Sequence, residues 1–346
     1  MHALTYHGPG RHSWEEVADP VVIDDRDALV RIDAVTICGT DLHILKGDVP
    51  TCEPGTTLGH EAVGTILSVG PGVRHRTAGD RVLISCITSC GSCEYCREGS
   101  YGQCTGGGGW ILGHRVHGVQ AEQARVPFAD SSTHLLPPGV SDEDALMLAD
   151  ILPTSYEVGV LRGRVGPGDT VVIVGAGPIG LAAILTSALL SPSAVVVIDP
   201  SATRRDAAKR LGATVCVSTP EEAKEALLEL SPRGGADIAM EAVGLPETFE
   251  ACTRLIRPGG HVANIGVHGK PAVLHLEDLW IRNVTITTGL VDTSTTPRLL
   301  RMLASGQLRP HGLLTHRFGM GEMMEAYDVF ARADANEALK VALFRT

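Results

Sequence analysis

The run Val171–Ile198, VVIVGAGPIGLAAILTSALLSPSAVVVI, constrains the fold of this chain more than any other stretch. An apolar run, Val171–Val174, turns on Gly175-Ala176-Gly177-Pro178-Ile179-Gly180 and continues as an Ala/Leu-rich segment. The segment breaks at Ser191-Pro192, and a second apolar run follows and ends at Asp199. That order reads as strand, glycine turn, helix, strand, acid. A dinucleotide site needs this order: glycines let the backbone approach a pyrophosphate and let the helix pack close to the strand. The helix N-terminus then offers unpaired N–H groups to the phosphates. Asp199 stands 19 residues past Gly180, where a carboxylate accepts bonds from a ribose hydroxyl pair. No charge occurs from Val171 to Ile198, so a membrane span competes with this reading. Three glycines and two prolines inside the run argue against a continuous spanning helix.

The rest of the chain supplies the alternation that such a motif requires. From 153 to 294, apolar runs alternate with helical patterns: VVIVG, AVVVID, TVCV, ADIAMEAVG, HVANIGV and VTITTGL, with ATRRDAAKRLGA, PEEAKEALLEL and PETFEACTRLI among the intervening segments. Six strands with helices between them predict a doubly wound parallel sheet. Ligands meet such a sheet beyond the strand C-termini, so Val243, Gly244, Ile265, Val267, Gly289 and Leu290 are candidate cofactor contacts, beside Gly175, Gly177, Pro178, Ile179, Gly180 and Asp199. Residues 1–152 differ: glycines, β-branched residues and short alternating runs such as Leu29–Ile37 predict a β-rich module. SDEDALMLAD, 141–150, reads as a capped helix, and PTSYEVGVLRG as a helix leading into the nucleotide module. After 294, PRLLRMLASGQL reads as a helix, and Met320, Met323, Met324, Tyr327 and Phe330 as a core stripe. The last strand, LKVALFR, is expected to return to the first module, so that the nucleotide domain is inserted into the other.

Net charge is −11, which argues against nucleic acid and anionic membrane surfaces as partners. The N-terminus lacks the apolar core of a secretory signal, and the cytoplasm is expected. The chain has nine cysteines, an odd number, and four of them crowd into one loop: Cys90, Cys93, Cys96 and Cys104. CxxCxxC followed seven residues later by Cys, among Gly, Ser and Glu, reads as a metal lobe at about 86–106. Four thiolates around a tetrahedral zinc leave no open position, so the site is structural. An iron–sulfur cluster is the competing occupant.

Cys38-Gly39-Thr40-Asp41-Leu42-His43, Gly59-His60-Glu61, the four-cysteine lobe, Asp150, the GAGPIG turn and Lys340 together resemble the zinc-dependent alcohol dehydrogenases of the medium-chain dehydrogenase/reductase family, over nearly the whole chain. The resemblance implies a GroES-like catalytic domain plus a Rossmann domain, and two zinc ions per subunit. It makes Cys38 and His60 ligands of a catalytic zinc. Asp150 stands where much of the family has a cysteine, as in bacterial secondary alcohol dehydrogenases with a Cys/His/Asp site. Glu61 is the fourth, exchangeable ligand or an outer partner. One thiolate, one imidazole and one carboxylate leave a position for water or substrate, as catalytic zinc requires. Asp41 is placed to orient His60, and Lys340 to meet Glu61 or the cofactor pyrophosphate. Thr40 takes the alcohol proton and His43 passes it on through the cofactor ribose. The resemblance puts Thr154 and Arg204 with the cofactor, and Thr40, Ile87, Trp110, Asp150 and Leu290 near the substrate. Asp199 favours NAD, since a phosphate on the adenine ribose would meet a carboxylate; Arg204 and Arg205 pull toward NADP. The expected reaction joins a small or medium secondary or primary alcohol with NAD. A threonine or polyol dehydrogenase, or an NAD-binding protein without activity, are the alternatives. Family members imply a homotetramer or a dimer.

Overall fold

The computed structural model describes residues 1–345. Among them fifteen strands follow one another. In the first part are β1 (His2–Tyr6), β2 (His12–Glu16), β3 (Ala28–Thr36), β4 (Ala62–Val69), β5 (Arg81–Ile84), β6 (Gln123–Val126) and β7 (Thr133–Leu135). Then come β8 (Thr170–Val174), β9 (Ala194–Ile198), β10 (Val215–Val217), β11 (Ala236–Glu241), β12 (Ile256–Asn264) and β13 (Thr285–Thr288). The chain closes with β14 (Leu314–Gly319) and β15 (Lys340–Phe344).

The chain forms two compact units. One comprises Met1–Pro153, Asp292–Gln307 and the residues from Leu314 on; the other comprises Thr154–Val291 and Leu308–Leu313. The stretch after 294 is therefore not one continuous return, because Leu308–Leu313 belongs with the second unit. In the first unit a mixed sheet runs β14-β15-β3-β4-β5-β7, with β6 also paired to β3, and β1-β2 form a separate hairpin. β15 pairs antiparallel with β3, Leu343 opposite Val35, and so brings the chain's end back to its beginning. The core of this unit gathers Leu4, Ile32, Ile37, Leu58, Ile84 and Val341 around the strands. The helix Met323–Ala331 closes it with Met323, Tyr327 and Phe330. Met324 departs from the expected stripe: it is 38% exposed. Met323 and Met324 are adjacent and lie about 100° apart on a helix, so only one of them faces the sheet.

The second unit is a six-stranded sheet of order β10-β9-β8-β11-β12-β13, with every pair parallel. β8 and β9 are buried at all five positions, which is why they read as unbroken apolar runs. Helices at Pro178–Ala188, Ala202–Arg210, Pro220–Leu230 and Pro246–Leu255 make the crossovers. Caps set their starts: Thr219 Oγ1 accepts from the Glu222 N–H, and Pro220 takes the first helical position. The helix expected before β8 has a different winding. After the α-helical turn Ile151–Thr154, residues Ser155–Leu161 form a π-helix, and the Arg162 N–H reaches the Glu157 carbonyl. Gly159 lets this wide turn lie on the sheet: a Cβ there would sit 2.7 Å from Ile265 and 3.1 Å from Met240. No helix among the described residues is long and apolar enough to cross a membrane.

Candidate functional site

Three segments of the first unit bring the four donors together. Cys38 is the N-cap of the helix Gly39–Lys46. Asp41, three residues on, ties that helix start: its Oδ2 accepts the Cys38 N–H at 2.9 Å while its own N–H reaches the Cys38 carbonyl. His60 and Glu61 lie between Gly59, at φ +92°, and the start of β4. Asp150 follows the short helix Asp142–Leu146, capped by Ser141 as expected, and the Cys86 N–H holds the adjoining Ala149 carbonyl. One ligand atom from each of Cys38, His60, Glu61 and Asp150 falls within 4.8 Å of the others. Cys38 Sγ stands 3.6 Å from Asp150 Oδ2, and His60 Nε2 stands 3.7 Å from the same oxygen.

The donor chemistry calls for a cation. Burial pushes the Cys38 thiol up, and Glu61 and Asp150 push it further. Burial also raises Glu61, against the pull of Lys340. Burial draws the His60 imidazole down, but Asp150 and Cys38 outweigh it and carry the imidazole well above its ordinary value. A thiolate, an imidazole and a carboxylate meeting at one point are the donor types that a divalent zinc takes. Glu61 Oε1 is buried without a hydrogen-bond partner, as a donor awaiting a cation would be.

Two sets of outer contacts hold the donors. Glu61 Oε2 accepts from Lys340 Nζ at 2.5 Å and from the Thr36 hydroxyl. Lys340 is 1% exposed and also reaches the Ile37 carbonyl, at 3.3 Å. Of the two partners expected for Lys340, it has Glu61. The other partner, a cofactor pyrophosphate, stays an expectation for this buried ammonium. On the other side His60 Nδ1 faces Asp41 Oδ1 at 3.6 Å. Asp41 Oδ2 accepts from Gln120 Nε2 at 2.9 Å, and Gln120 Oε1 accepts from the Tyr327 hydroxyl at 2.7 Å. Thr36, Gln120 and Tyr327 were not legible as site residues. Gln120 is 79 residues from Asp41 and 207 from Tyr327, so no local spacing links them.

The four thiols at 90, 93, 96 and 104 form a second cluster, also within 4.8 Å. Cys90 and Cys96 sulfurs are 3.9 Å apart, as are those of Cys93 and Cys104. A tetrahedron with Zn–S bonds of about 2.3 Å has edges of about 3.8 Å. This cage fits one ion, whereas a multi-iron cluster needs a wider one. Its lobe is built for anions. The Cys96 N–H and its neighbours bring the Cys93 thiol down to about 5. Burial opposes ionisation of Cys90, yet the hydroxyl and N–H of Ser92 bring it to about 7. Burial pushes Cys96 up to about 12. Gly106 has to be glycine here, since a Cβ would lie 2.4 Å from Cys90 Sγ.

In the second unit the glycine turn follows β8 and opens the helix Pro178–Ala188, with Gly177 as N-cap and Pro178 first inside. A Cβ on Gly180 would lie 1.9 Å from the Gly175 carbonyl, so this glycine sets the close helix–strand approach. Asp199, 3% exposed at the end of β9, accepts the Ala176 N–H at 2.8 Å and the Ser201 N–H at 2.9 Å. Its carboxylate thus braces the turn, and Arg205 caps the Asp199 carbonyl at 2.7 Å. Arg204 lies in the first turn of the helix Ala202–Arg210, its N–H on the Ser201 hydroxyl. Beyond the strand ends, Val243, Val267 and Leu290 are exposed at 45, 66 and 40%. Ile265 differs from them: it is 8% exposed and its side chain lies against Gly159. Glu241, unforeseen, is fully buried and accepts from the N–H groups of Val243 and Gly244, both at 2.8 Å. Thr154 is half-buried at the start of the π-helix.

The remaining expected residues are dispersed. Thr40 Oγ1 is 3.6 Å from Cys38 Sγ, at the donor cluster. His43, one turn on, pairs through Nδ1 with Asp48 Oδ2 at 2.8 Å and keeps 39% of its side chain exposed. Trp110 packs on the core of the first unit and stacks on His114, ring centroids 4.2 Å apart. Ile87 is buried, 2% exposed, with its N–H on the Ser85 hydroxyl. Leu290 belongs to the second unit, the other four substrate residues to the first.

Two family models match: an alcohol dehydrogenase GroES-like domain over residues 24–137 and a zinc-binding dehydrogenase over 178–305. An alcohol dehydrogenase of Cupriavidus necator is 33% identical, over 99% of this chain and 98% of its own. The solved apo form of zinc-dependent alcohol dehydrogenase 2 from Streptococcus pneumonia is 48% identical with a TM-score of 0.95, covering 100% of this chain and 98% of the other. The alcohol dehydrogenase of Thermus sp. ATN1 is 35% identical with a TM-score of 0.92, over the whole of both chains. The chain belongs to the zinc-dependent alcohol dehydrogenases of the medium-chain dehydrogenase/reductase family.

Proposed function

We propose that this dehydrogenase interconverts a small or medium secondary or primary alcohol and its ketone or aldehyde, with NAD as hydride acceptor and two zinc ions per subunit. The observation that carries the reading is the donor set of Cys38, His60 and Asp150, with Glu61 held back by Lys340 and Thr36. Three donors and a restrained fourth leave a coordination position for substrate, whereas the closed four-thiol lobe leaves none. Zinc in the first site, when bound, lowers the proton affinity of the alcohol oxygen and polarises the carbonyl. Thr40, 3.6 Å from Cys38 Sγ, takes the alcohol proton. His43, oriented by Asp48 and open to water, passes it to solvent. Asp199 and the glycine turn hold the adenosine end and the pyrophosphate, and the carboxylate repels a 2′-phosphate, which favours NAD over NADP. Nine cysteines, an odd number with four gathered in one metal lobe, support a reducing, cytoplasmic setting. A homotetramer is the proposed assembly.

The test is reduced-cofactor formation by the zinc-loaded protein with NAD and NADP in parallel. The substrates are ethanol, 2-propanol, 2-butanol, benzyl alcohol, threonine, sorbitol and formaldehyde, with a chelator control. Chelator-sensitive turnover of simple alcohols with NAD is expected. Turnover confined to threonine or sorbitol replaces the substrate class, and tight NAD binding without turnover removes the enzymatic reading.

A further inference from the structure

A chain of buried polar groups runs from the C-terminal helix to His60. Tyr327, Gln120, Asp41 and His60 are 2, 0, 1 and 3% exposed. The Tyr327 hydroxyl donates to Gln120 Oε1, and Gln120 Nε2 donates to Asp41 Oδ2 and, at 3.2 Å, to the Thr36 carbonyl. The Cys38 N–H also donates to Asp41 Oδ2. Two donors therefore occupy one oxygen, while Asp41 Oδ1 is buried without a hydrogen-bond partner, 3.6 Å from His60 Nδ1. His60 Nδ1 is the group that faces this oxygen, and a hydrogen on Nδ1 leaves the lone pair on Nε2, toward Cys38 and Asp150.

The backbone enforces the same juxtaposition. The Gln120 N–H bonds the Leu58 carbonyl and the Val119 N–H bonds the Gly59 carbonyl, so the segment carrying Gln120 is zipped to the loop carrying His60. Gly59 gives Gln120 room, since a Cβ there would lie 2.4 Å from Gln120 Cγ. An amide has two ends and can turn over. The Tyr327 hydroxyl selects the end, because a donor on Oε1 leaves Nε2 aimed at Asp41. A phenylalanine at 327 would fill the same space and carry no such instruction.

We propose that Gln120 and Tyr327 are positioning residues for the catalytic metal site, through which the helix Met323–Ala331 sets the aim of His60. This rests on the reading of Cys38, His60 and Asp150 as a zinc site. It assigns a role to a tyrosine whose spacing marks it only as core.

The test uses full-length protein loaded with zinc, and separately with cobalt, comparing wild type, Tyr327→Phe and Met323→Leu. Met323 is on the same helix, fully buried, and outside the polar chain. Zinc release to a chromogenic chelator is followed together with the visible spectrum of the cobalt protein. Tyr327→Phe is expected to release one of two zinc equivalents about tenfold faster, the effect typical of an outer partner of a ligand. It shifts the cobalt bands and leaves the other equivalent unchanged, and Met323→Leu behaves as wild type. Gln120→Glu, which sets a carboxylate against Asp41, should release that equivalent faster still. Release by Tyr327→Phe within twofold of wild type overturns the proposal. So does acceleration of both equivalents, or acceleration matched by Met323→Leu. If wild type binds a single equivalent that Asp150→Ala does not alter, the catalytic-site reading itself fails and takes the proposal with it.

Discussion

Lys340 carries a positive charge in a place where only its partner makes that tolerable. Both it and Glu61 are 1% exposed, 2.5 Å apart. Removing one member of a buried pair costs about 3–5 kcal/mol, because the other is left charged and unpaired. Lys340→Met should lower unfolding free energy by about that much in urea titrations, and adding Glu61→Gln should recover most of it. A fall under about 1 kcal/mol would mean that Glu61 is already neutralised from the metal side. Asp150 makes the opposite kind of demand, on function and not on folding. Asp150→Ala should remove one zinc equivalent of two and cut turnover by at least about 100-fold, with the melting transition within a few degrees of wild type. Retained turnover would strike Asp150 from the donor set. These residues were legible through the family resemblance and not from local spacing, and Cys38, His60, Glu61 and Asp150 do meet within 4.8 Å. Their supports were not. Gln120 and Tyr327 are ordinary residues, and only the fold tells a core tyrosine from one whose hydroxyl bonds a buried amide. Lys340 reads as easily as a surface lysine as a buried one, and β15 beside β3 decides between them.

At the scale of elements, the glycine turn separates two roles that one motif combines. Gly180 has a structural duty: its Cβ would fall 1.9 Å from the Gly175 carbonyl. Gly177, the N-cap at φ −70°, has nothing within 4 Å of its Cβ position. Gly180→Ala should therefore lower the melting temperature by several degrees, the helix being pushed off β8. Gly177→Ala should leave melting within about two degrees and weaken NAD about tenfold or more, since the space it fills is the one the pyrophosphate needs. Calorimetry and a fluorescence titration with NADH separate the two outcomes. Equal NADH affinity in Gly177→Ala and wild type would put the phosphates elsewhere. Alternation of buried strands with capped helices was readable throughout this unit, since β8 and β9 admit no polar residue beyond Thr170. The π-helix Ser155–Leu161 was not. All but one of its positions are buried, so it has no polar face to reveal a period. Its winding is set by Gly159 resting on Met240 and Ile265, about 80 or more residues away in the chain.

For the molecule as a whole, the question left by the second unit is what covers its sheet edge. Among the described residues β13 pairs only with β12, so its outer side presents unpaired backbone groups. The segment leading to it is unusually apolar at its surface: Val267 is 66% exposed, Val273 55%, Leu276 61%, Trp280 74% and Ile281 69%. Isolated exposed apolar side chains need no explanation, but with Leu274 at 41% there are six within fifteen residues beside an open strand, the pattern of an interaction face. In the homotetramer proposed above, a second copy of the chain would be the partner at this edge, because a two-fold axis sets the same patch against itself. A closed four-chain particle carries more than one kind of contact, so losing this one should leave smaller particles and not unfolded chains. Light scattering after gel filtration should give the mass of four chains for wild type. It should give two or one for the double substitution Trp280→Glu, Ile281→Glu, with zinc content and NADH binding retained. A double variant that keeps the mass of four chains would exclude this face as a subunit contact. A wild type that runs as one chain would mean that the apolar edge serves another partner.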